Sequence, residues 1–347
     1  MTLIRFNSGD IVVRDEKLGV STWTNNQNNL SSLFTSSLQN ANSPTSSRAF
    51  FLEVFQTAST DSSAEVQLAL SYGHKAGSGS QDFTNDVGSE GLSAARTIYG
   101  QYRQLIFGDE TQNFTFGRHT PDDIYVININ RSRYKQQLKL GTLNLQLSGA
   151  GVNSGVGQTT LHLTDDSITN PAGLGNSNLG PYYNIVSGSS GIASGSTAIQ
   201  VGRSASYGHI YPNAGLIILN PDAFDPNGAL FPSRNSNGNG GTDRNNEKLF
   251  RSISGGGSFI LDSEETISSQ FYFVRARNNE FNYSNNPTFS DDEGNVAFDS
   301  MINSPKTFIT TVGLYNDAND LVAVAKISQP IAKDPTKEAL IRVKLDY

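Results

Sequence analysis

The sequence predicts a mainly β protein with minor α content: an antiparallel β-sandwich-like body, one amphipathic helix near residues 89–107, and an extended N-terminal arm. Three observations carry this. Short apolar stretches alternate with period two and are bounded by Gly, Asn, Pro or Ser. Hydrophobic residues make up only 36% of the chain and charged residues 16%, the balance being rich in Ser, Asn, Gly and Thr, which favour turns and strand surfaces over helix interiors. One long stretch alone carries a well-marked helical stripe. No period of 20–50 residues repeats, which excludes a solenoid or propeller.

In residues 1–48 the arm contains a short strand at Ile11–Val13 and a weak helix, with Leu30, Leu33, Phe34 and Leu38 on one face. Trp23, the only tryptophan, lies here as either a plug of the protein's own core or an anchor at a subunit contact. The β-rich body covers 49–220. It opens on strands at 49–57 and 64–72, the second alternating Ala64, Val66, Leu68, Leu70 and Tyr72 with polar neighbours. The helix of 89–107 carries Leu92, Ala95, Tyr99, Tyr102 and Ile106 on one stripe, with Ser89 to cap it and Gly108 to end it. Gly100 inside it suggests close packing of a neighbour. Strands follow at 123–130, 143–147, 159–163, 182–186, 197–201 and 215–220. Residues 221–248 read as an exposed loop or boundary, because Gly, Asn, Pro and Asp dominate them. The C-terminal β-rich part, 249–347, has strands at 257–262 and 270–277. It ends in a hairpin over Phe308–Ile327 and a last strand over Ala339–Tyr347. There Ala339, Ile341, Val343, Leu345 and Tyr347 face one way, and Arg342, Lys344 and Asp346 the other.

Composition narrows the function classes. Net charge is −7 with no basic run; Arg131, Arg133, Lys135 and Lys139 form the densest cationic stretch and read as a solvated loop, so no nucleic-acid partner is expected. With no cysteine, disulfides and thiolate metal sites are impossible, which suits a reducing cytoplasm. No signal-peptide core and no run of about 20 apolar residues is present, so neither secretion nor a membrane partner is expected. Sequons begin at Asn29, Asn113 and Asn282 and carry no meaning in a cytoplasmic product.

No catalytic, cofactor-binding or metal-binding constellation emerges. The loop from Gly149 to Gly157 resembles a dinucleotide fingerprint, but its third glycine is one place late and strand-like residues follow instead of a helix. His119, Asp122 and Asp123 share one turn, and Asp291–Asn295 is a loose calcium-loop match; both read as turn chemistry. Asp165–Asp166 and Glu264–Glu265 are neighbours on strands, so their side chains diverge and do not make a glycosidase pair. The histidines at 74, 119, 162 and 209 are scattered, with His162 on a wet strand face. Gly188–Gly191 has the wrong spacing for a nucleophile elbow. The chain is not expected to be an enzyme.

Three blocks carry a resemblance: FITTVGLYNDANDLVAVAKISQPI with KEALIRVKLDY at the C-terminus, the stretch from Ile98 to Gly149, and VRARNNEFNYSNNPTF from Val274 to Phe289. Together they cover about half the chain. They look like virion structural proteins of contractile-tailed bacteriophages, especially marine cyanophages. The resemblance implies a tail baseplate component of wedge type, located in the virion and assembled in the host cytoplasm. It also implies other baseplate or tail proteins as partners, and self-association for which a C2 dimer is the default. Its mechanism would be the rearrangement of subunit contacts. The alternative expectation is a host-glycan-binding β-sandwich module on tail or capsid, with Tyr182, Tyr183, Tyr207 and Tyr211 stacking on sugar rings.

Overall fold

The computed structural model describes residues 3–35, 50–79, 93–148, 160–194, 206–224, 245–284 and 286–346. They are mainly β, with large antiparallel sheets in a sandwich-like body. The chain divides into two compact units, Leu18–Glu265 and a second made of Met1–Lys17 with Thr266–Tyr347. The boundaries therefore fall elsewhere than the changes of composition at 48, 220 and 248.

The predicted arm is extended, but as an eleven-residue strand, β1 (Ile11–Ser21), far longer than Ile11–Val13. The expected helix does not form over 30–35; Leu38, the last residue of its face, lies outside the described residues. Leu30 is buried in the core, and Phe34–Thr35 is a strand, β2, that pairs with β3 (Leu52–Phe55). A serine- and asparagine-rich segment has too little helix propensity to resist a sheet edge that offers backbone hydrogen bonds.

Further strands are β4 (Val66–His74), β5 (Asp123–Ile129), β6 (Gln137–Leu138), β7 (Asn144–Ser148), β8 (Thr160–Asp165), β9 (Gly175–Ser177), β10 (Gly180–Ser189), β11 (Ile192–Ala193), β12 (Gly208–Tyr211), β13 (Leu216–Leu219) and β14 (Phe259–Ile260). The larger unit is built on a twelve-stranded sheet in the order β14-β7-β8-β10-β12-β13-β5-β4-β3-β2, with β9 and β11 attached to β10. The predicted strand at 197–201 and the loop of Gly149–Gly157 lie outside the described residues.

The centre of this sheet is dry on both faces. Along β5, Ile124 and Val126 face one cluster, and Tyr125, Ile127 and Ile129 face another. Helix α1 (Ala94–Phe107) covers the first face with Ile98, Tyr99, Tyr102 and Ile106. Its predicted start is corrected: Ser93 is the N-cap, accepting a bond from the Arg96 amide, while Ser89 and Leu92 lie outside the described residues. Its end at Gly108, in the left-handed conformation, is where the sequence placed it. Gly100 meets open space, so it does not serve close packing; that role belongs to Gly73 on β4, where a Cβ would stand 2.9 Å from the Tyr99 amide nitrogen.

The second face is covered in part by a helix that sequence reading missed, α2 (Asn245–Gly256), through Leu249 and Ile253. Only those two positions, four apart, are apolar and fully buried, and the helix ends in glycines. One of these, Gly256, sits so close to β7 that a Cβ would collide with the Gln146 carbonyl. The loop-like composition there reflects close approach.

In the smaller unit, β15 (Asp262–Ala276) lies between β1 and β18 (Ala339–Asp346), with an unbroken register from Ser269 opposite Asp346 to Ala276 opposite Ala339. β16 (Thr307–Tyr315) and β17 (Leu321–Lys333) form the expected hairpin. It is closed by Asn316, whose side chain accepts the Asp320 amide, and by Asn319 at φ 64°. Only Val312, Leu314 and Val343 are buried at its centre, with Phe6, Tyr272, Ile327 and Ile341 partly so. Its polar anchor is Lys333, fully buried. The ammonium donates to the Asn278 carbonyl at 3.0 Å, the Asn282 Oδ1 at 2.8 Å and the Asp334 carbonyl at 2.9 Å.

Two predictions follow from these interiors. Lys333→Met removes the donor shared by three acceptors, of which the Asn278 carbonyl keeps the Asn282 side-chain amide, and should cost about 2 kcal/mol, read by urea denaturation, with amide exchange accelerating first at 277–283. His209 is buried against Phe116 and Tyr182, and burial lowers its pKa to about 3. Between the unfolded value near 6.5 and about 3, the unfolded chain takes up a proton that the folded chain refuses. Stability from this group is therefore whole above pH 6.5 and falls, by up to about 1.4 kcal/mol per pH unit, as pH drops. His209→Phe should flatten that part of the denaturation midpoint against pH.

Candidate functional site

At the end of β1 the chain turns through Thr22–Asn26. Trp23 is 2% exposed, sends its indole N–H to the Phe259 carbonyl at 2.8 Å and meets the Phe259 ring edge-on at 5.0 Å. Of the two roles open to it in the sequence, the core plug is the one it fills. Asn25 and Asn26 follow at φ 62° and 55°, left-handed positions that asparagine tolerates.

This turn borders a groove of about 520 Å³ within the larger unit. Glu65, before β4, enters from one side, Arg133 and Lys135 from the segment after β5, and Glu264 and Glu265 from the start of β15. The groove is a web of paired charges. Arg133 donates to Glu65 Oε2 at 2.8 Å and also to Thr24 Oγ1. Thr24 donates to the same carboxylate at 2.8 Å. The Thr24 hydroxyl first, and the Arg133 guanidinium next, hold the Glu65 carboxyl below its ordinary range. Lys135 bonds Glu265 at 2.8 Å, and the Gln137 amide bonds Glu264. Thr22 also lines the groove, and its buried Oγ1 has no hydrogen-bond partner among the described residues.

The sequence treated these groups separately. Its four-cation stretch is dispersed: Arg133 and Lys135 serve the groove, Arg131 lies over the Tyr134 ring at 4.6 Å, and Lys139 packs on Gly19. Glu264 and Glu265 both line the groove although they are strand neighbours. Their meeting with Glu65, two hundred residues earlier, has no local signal; pairing of β15 with β6 creates it, Glu264 lying opposite Gln137.

Other candidates separate in space. His119 Nε2 lies 2.5 Å from Asp222, Asp122 pairs with Lys75 at 2.9 Å, and Asp123 accepts from the Tyr72 hydroxyl at 2.9 Å. Asp165 accepts the Gly141 amide, and Asp166 accepts the amide and side chain of Asn184; burial raises the Asp166 pKa despite those bonds. Asp291 accepts the amides of Glu293 and Asn295 in a turn. The His74 ring accepts the Ala76 amide. His162 is exposed. Among the described residues no group of three His, Asp or Glu side chains is placed to hold a metal ion.

Of the four tyrosines offered to sugars, Tyr182 and Tyr207 are half-buried and lie outside the groove lining. Tyr183 and Tyr211 are buried, Tyr182 stacks on Tyr211 at 5.4 Å, and Tyr207 lies against Phe224.

A second surface belongs to the smaller unit. Val322 is 67% exposed, Leu340 61% and Phe308 59%, and Leu321 and Val324 are exposed too, Phe308 lying opposite Ala332 at the other end of the hairpin from Val324, which lies opposite Gly313. No helix among the described residues is long and apolar enough to cross a membrane. Comparison with protein-family models, curated proteins and solved structures found no match to this chain.

The groove's electrostatics are directly testable. Thr24→Val and Arg133→Gln should each raise the Glu65 pKa toward that of a free carboxylate in a carbon-13 NMR titration of the side chain.

Proposed function

We propose that this chain is a non-catalytic structural subunit of a contractile-tailed phage virion, a baseplate protein of wedge type. It is assembled in the host cytoplasm and held by contacts with other tail proteins and with a second copy of itself. The observation that carries the reading is the imbalance in the smaller unit. Among the described residues its apolar cluster has three buried members, Val312, Leu314 and Val343, with Ala276, Phe289 and Ala339 buried elsewhere in the unit, while Phe308, Leu321, Val322, Val324 and Leu340 remain in water. Burying apolar surface yields about 25 cal/mol per Å², so covering those exposed side chains with a neighbour would add to a small interior. The resemblance of the C-terminal block, which comprises this hairpin and last strand, supports the virion setting. The pairing of every groove carboxylate with a donor supports the absence of catalysis.

Val322→Asp with Val324→Asp should leave the denaturation midpoint of the isolated chain within about 0.5 kcal/mol, because both side chains are already solvated. It should abolish incorporation into particles, measured by mass spectrometry of purified virions. Normal incorporation of the double variant, or virions that lack the unaltered chain, would overturn the reading.

A further inference from the structure

The groove beside Trp23 offers a ligand an unusual mixture. Glu65, Glu264 and Glu265 accept hydrogen bonds; Arg133 and Lys135 donate them; the amides of Asn25 and Asn26 do both. Three carboxylates face two cations, so an anion meets net repulsion. Glu65 and Glu265 are also engaged by Arg133 and Lys135, which removes most of the attraction for a cation. What remains is a dense field of donors and acceptors that suits an uncharged molecule able to give and take hydrogen bonds at many points.

A second observation is independent of the charges. The Thr22 hydroxyl is buried at the groove wall without a partner among the described residues. A buried hydroxyl left unpaired costs about 1–3 kcal/mol, and because the Thr22 Oγ1 is closed to solvent a ligand hydroxyl returns that cost only by shifting the groove wall on binding. The groove's size falls inside the range of about 300–1,000 Å³ common to small-molecule sites.

We propose that this groove is a binding site for a neutral saccharide, with Thr22, the Asn25–Asn26 turn and the Glu65–Arg133 pair meeting its hydroxyls. Each sugar hydroxyl is at once donor and acceptor, and the lining supplies both partners side by side. The tyrosines that sequence reading offered for this purpose take no part. The site is independent of the assembly role, since particle incorporation reads the smaller unit and saccharide binding reads the larger one.

The chain carries its own reporter. Trp23 lines the groove and is the only tryptophan, so its emission reports occupancy without background. The full chain is titrated with maltotriose, cellotriose, mannotriose and chitotriose, and followed by fluorescence and by amide shifts of residues 22–26 and 132–135. The expected result is saturable binding of at least one trisaccharide at millimolar concentration or below. Thr22→Val, which keeps the shape and deletes the hydroxyl, should weaken it about fivefold to tenfold, as should Asn26→Gly, which keeps the left-handed turn and deletes the amide. Thermal unfolding confirms that each variant is folded; Asn26→Gly lies on an exposed turn and remains the test if Thr22→Val does not fold. No response to any of the four sugars, binding unchanged in the folded variants, or tighter binding of argininamide or glucuronate than of every neutral sugar would overturn the proposal.

Discussion

Strand β5 constrains everything around it. Its seven residues, Asp123–Ile129, place apolar side chains on both faces, so neither face of the sheet centre can meet water. Each face then needs a cover, and the covers differ. α1 brings a full stripe of large side chains, whereas the opposite face is closed by pieces from distant segments: Trp23, Leu249, Ile253 and Phe259. The bond from the Trp23 indole to the Phe259 carbonyl joins two of those pieces, 236 residues apart. The turn that presents Thr24, Asn25 and Asn26 to the groove thus starts from a residue fixed in the core. A groove built on such an anchor is pre-organised, which lowers the ordering cost of any ligand.

The smaller unit obeys the opposite logic. Burial alternates along β18 and through Val322–Ser328 of β17, and Val322, Val324 and Leu340 stand on the outer positions. Its interior depends on hydrogen bonding as much as on burial: Lys333 gathers three acceptors, and the Thr307 hydroxyl bonds the Phe281 carbonyl at 2.7 Å. Directional bonds of this kind fix a shape without supplying much hydrophobic stabilisation. A shape fixed in this way, with apolar side chains outside, is what a subunit offers to a neighbour, and this is why we place the contact function there.

Legibility in the sequence followed the range of the interaction. Period-two alternation is local, so β4, β5, β16, β17 and β18 could be read directly, as could the stripe and glycine end of α1. Where a long-range contact decided the outcome, local pattern misled. Phe34 had helical spacing with Leu30 but pairs with Phe55 in a sheet. α2 looked like loop because its glycines answer to β7 and not to a turn. His209 alternates with apolar neighbours much as His162 does, yet it lies in an aromatic pocket whose Phe116 and Tyr182 are distant in sequence, Tyr211 being the near contributor. The groove was illegible for the same reason. Its residues come from four segments, each of which reads as ordinary turn or strand surface.

The groove's carboxylates bear on whether binding there would extend to hydrolysis. Cleaving a glycosidic bond requires one carboxyl group that keeps its proton near neutral pH, opposite a second that does not. Glu65 is pushed the other way, toward permanent ionisation, by a hydroxyl and a guanidinium that both donate to it. Glu265 is paired with an ammonium and Glu264 with an amide donor. Among the described residues the carboxyl that burial pushes upward, Asp166, is tied to Asn184 and lies outside the groove lining. Recognition of hydroxyls needs only the donors and acceptors present; catalysis would need an acid that these contacts work against. Binding of a saccharide without turnover is compatible with the proposed role of a subunit that works through contacts.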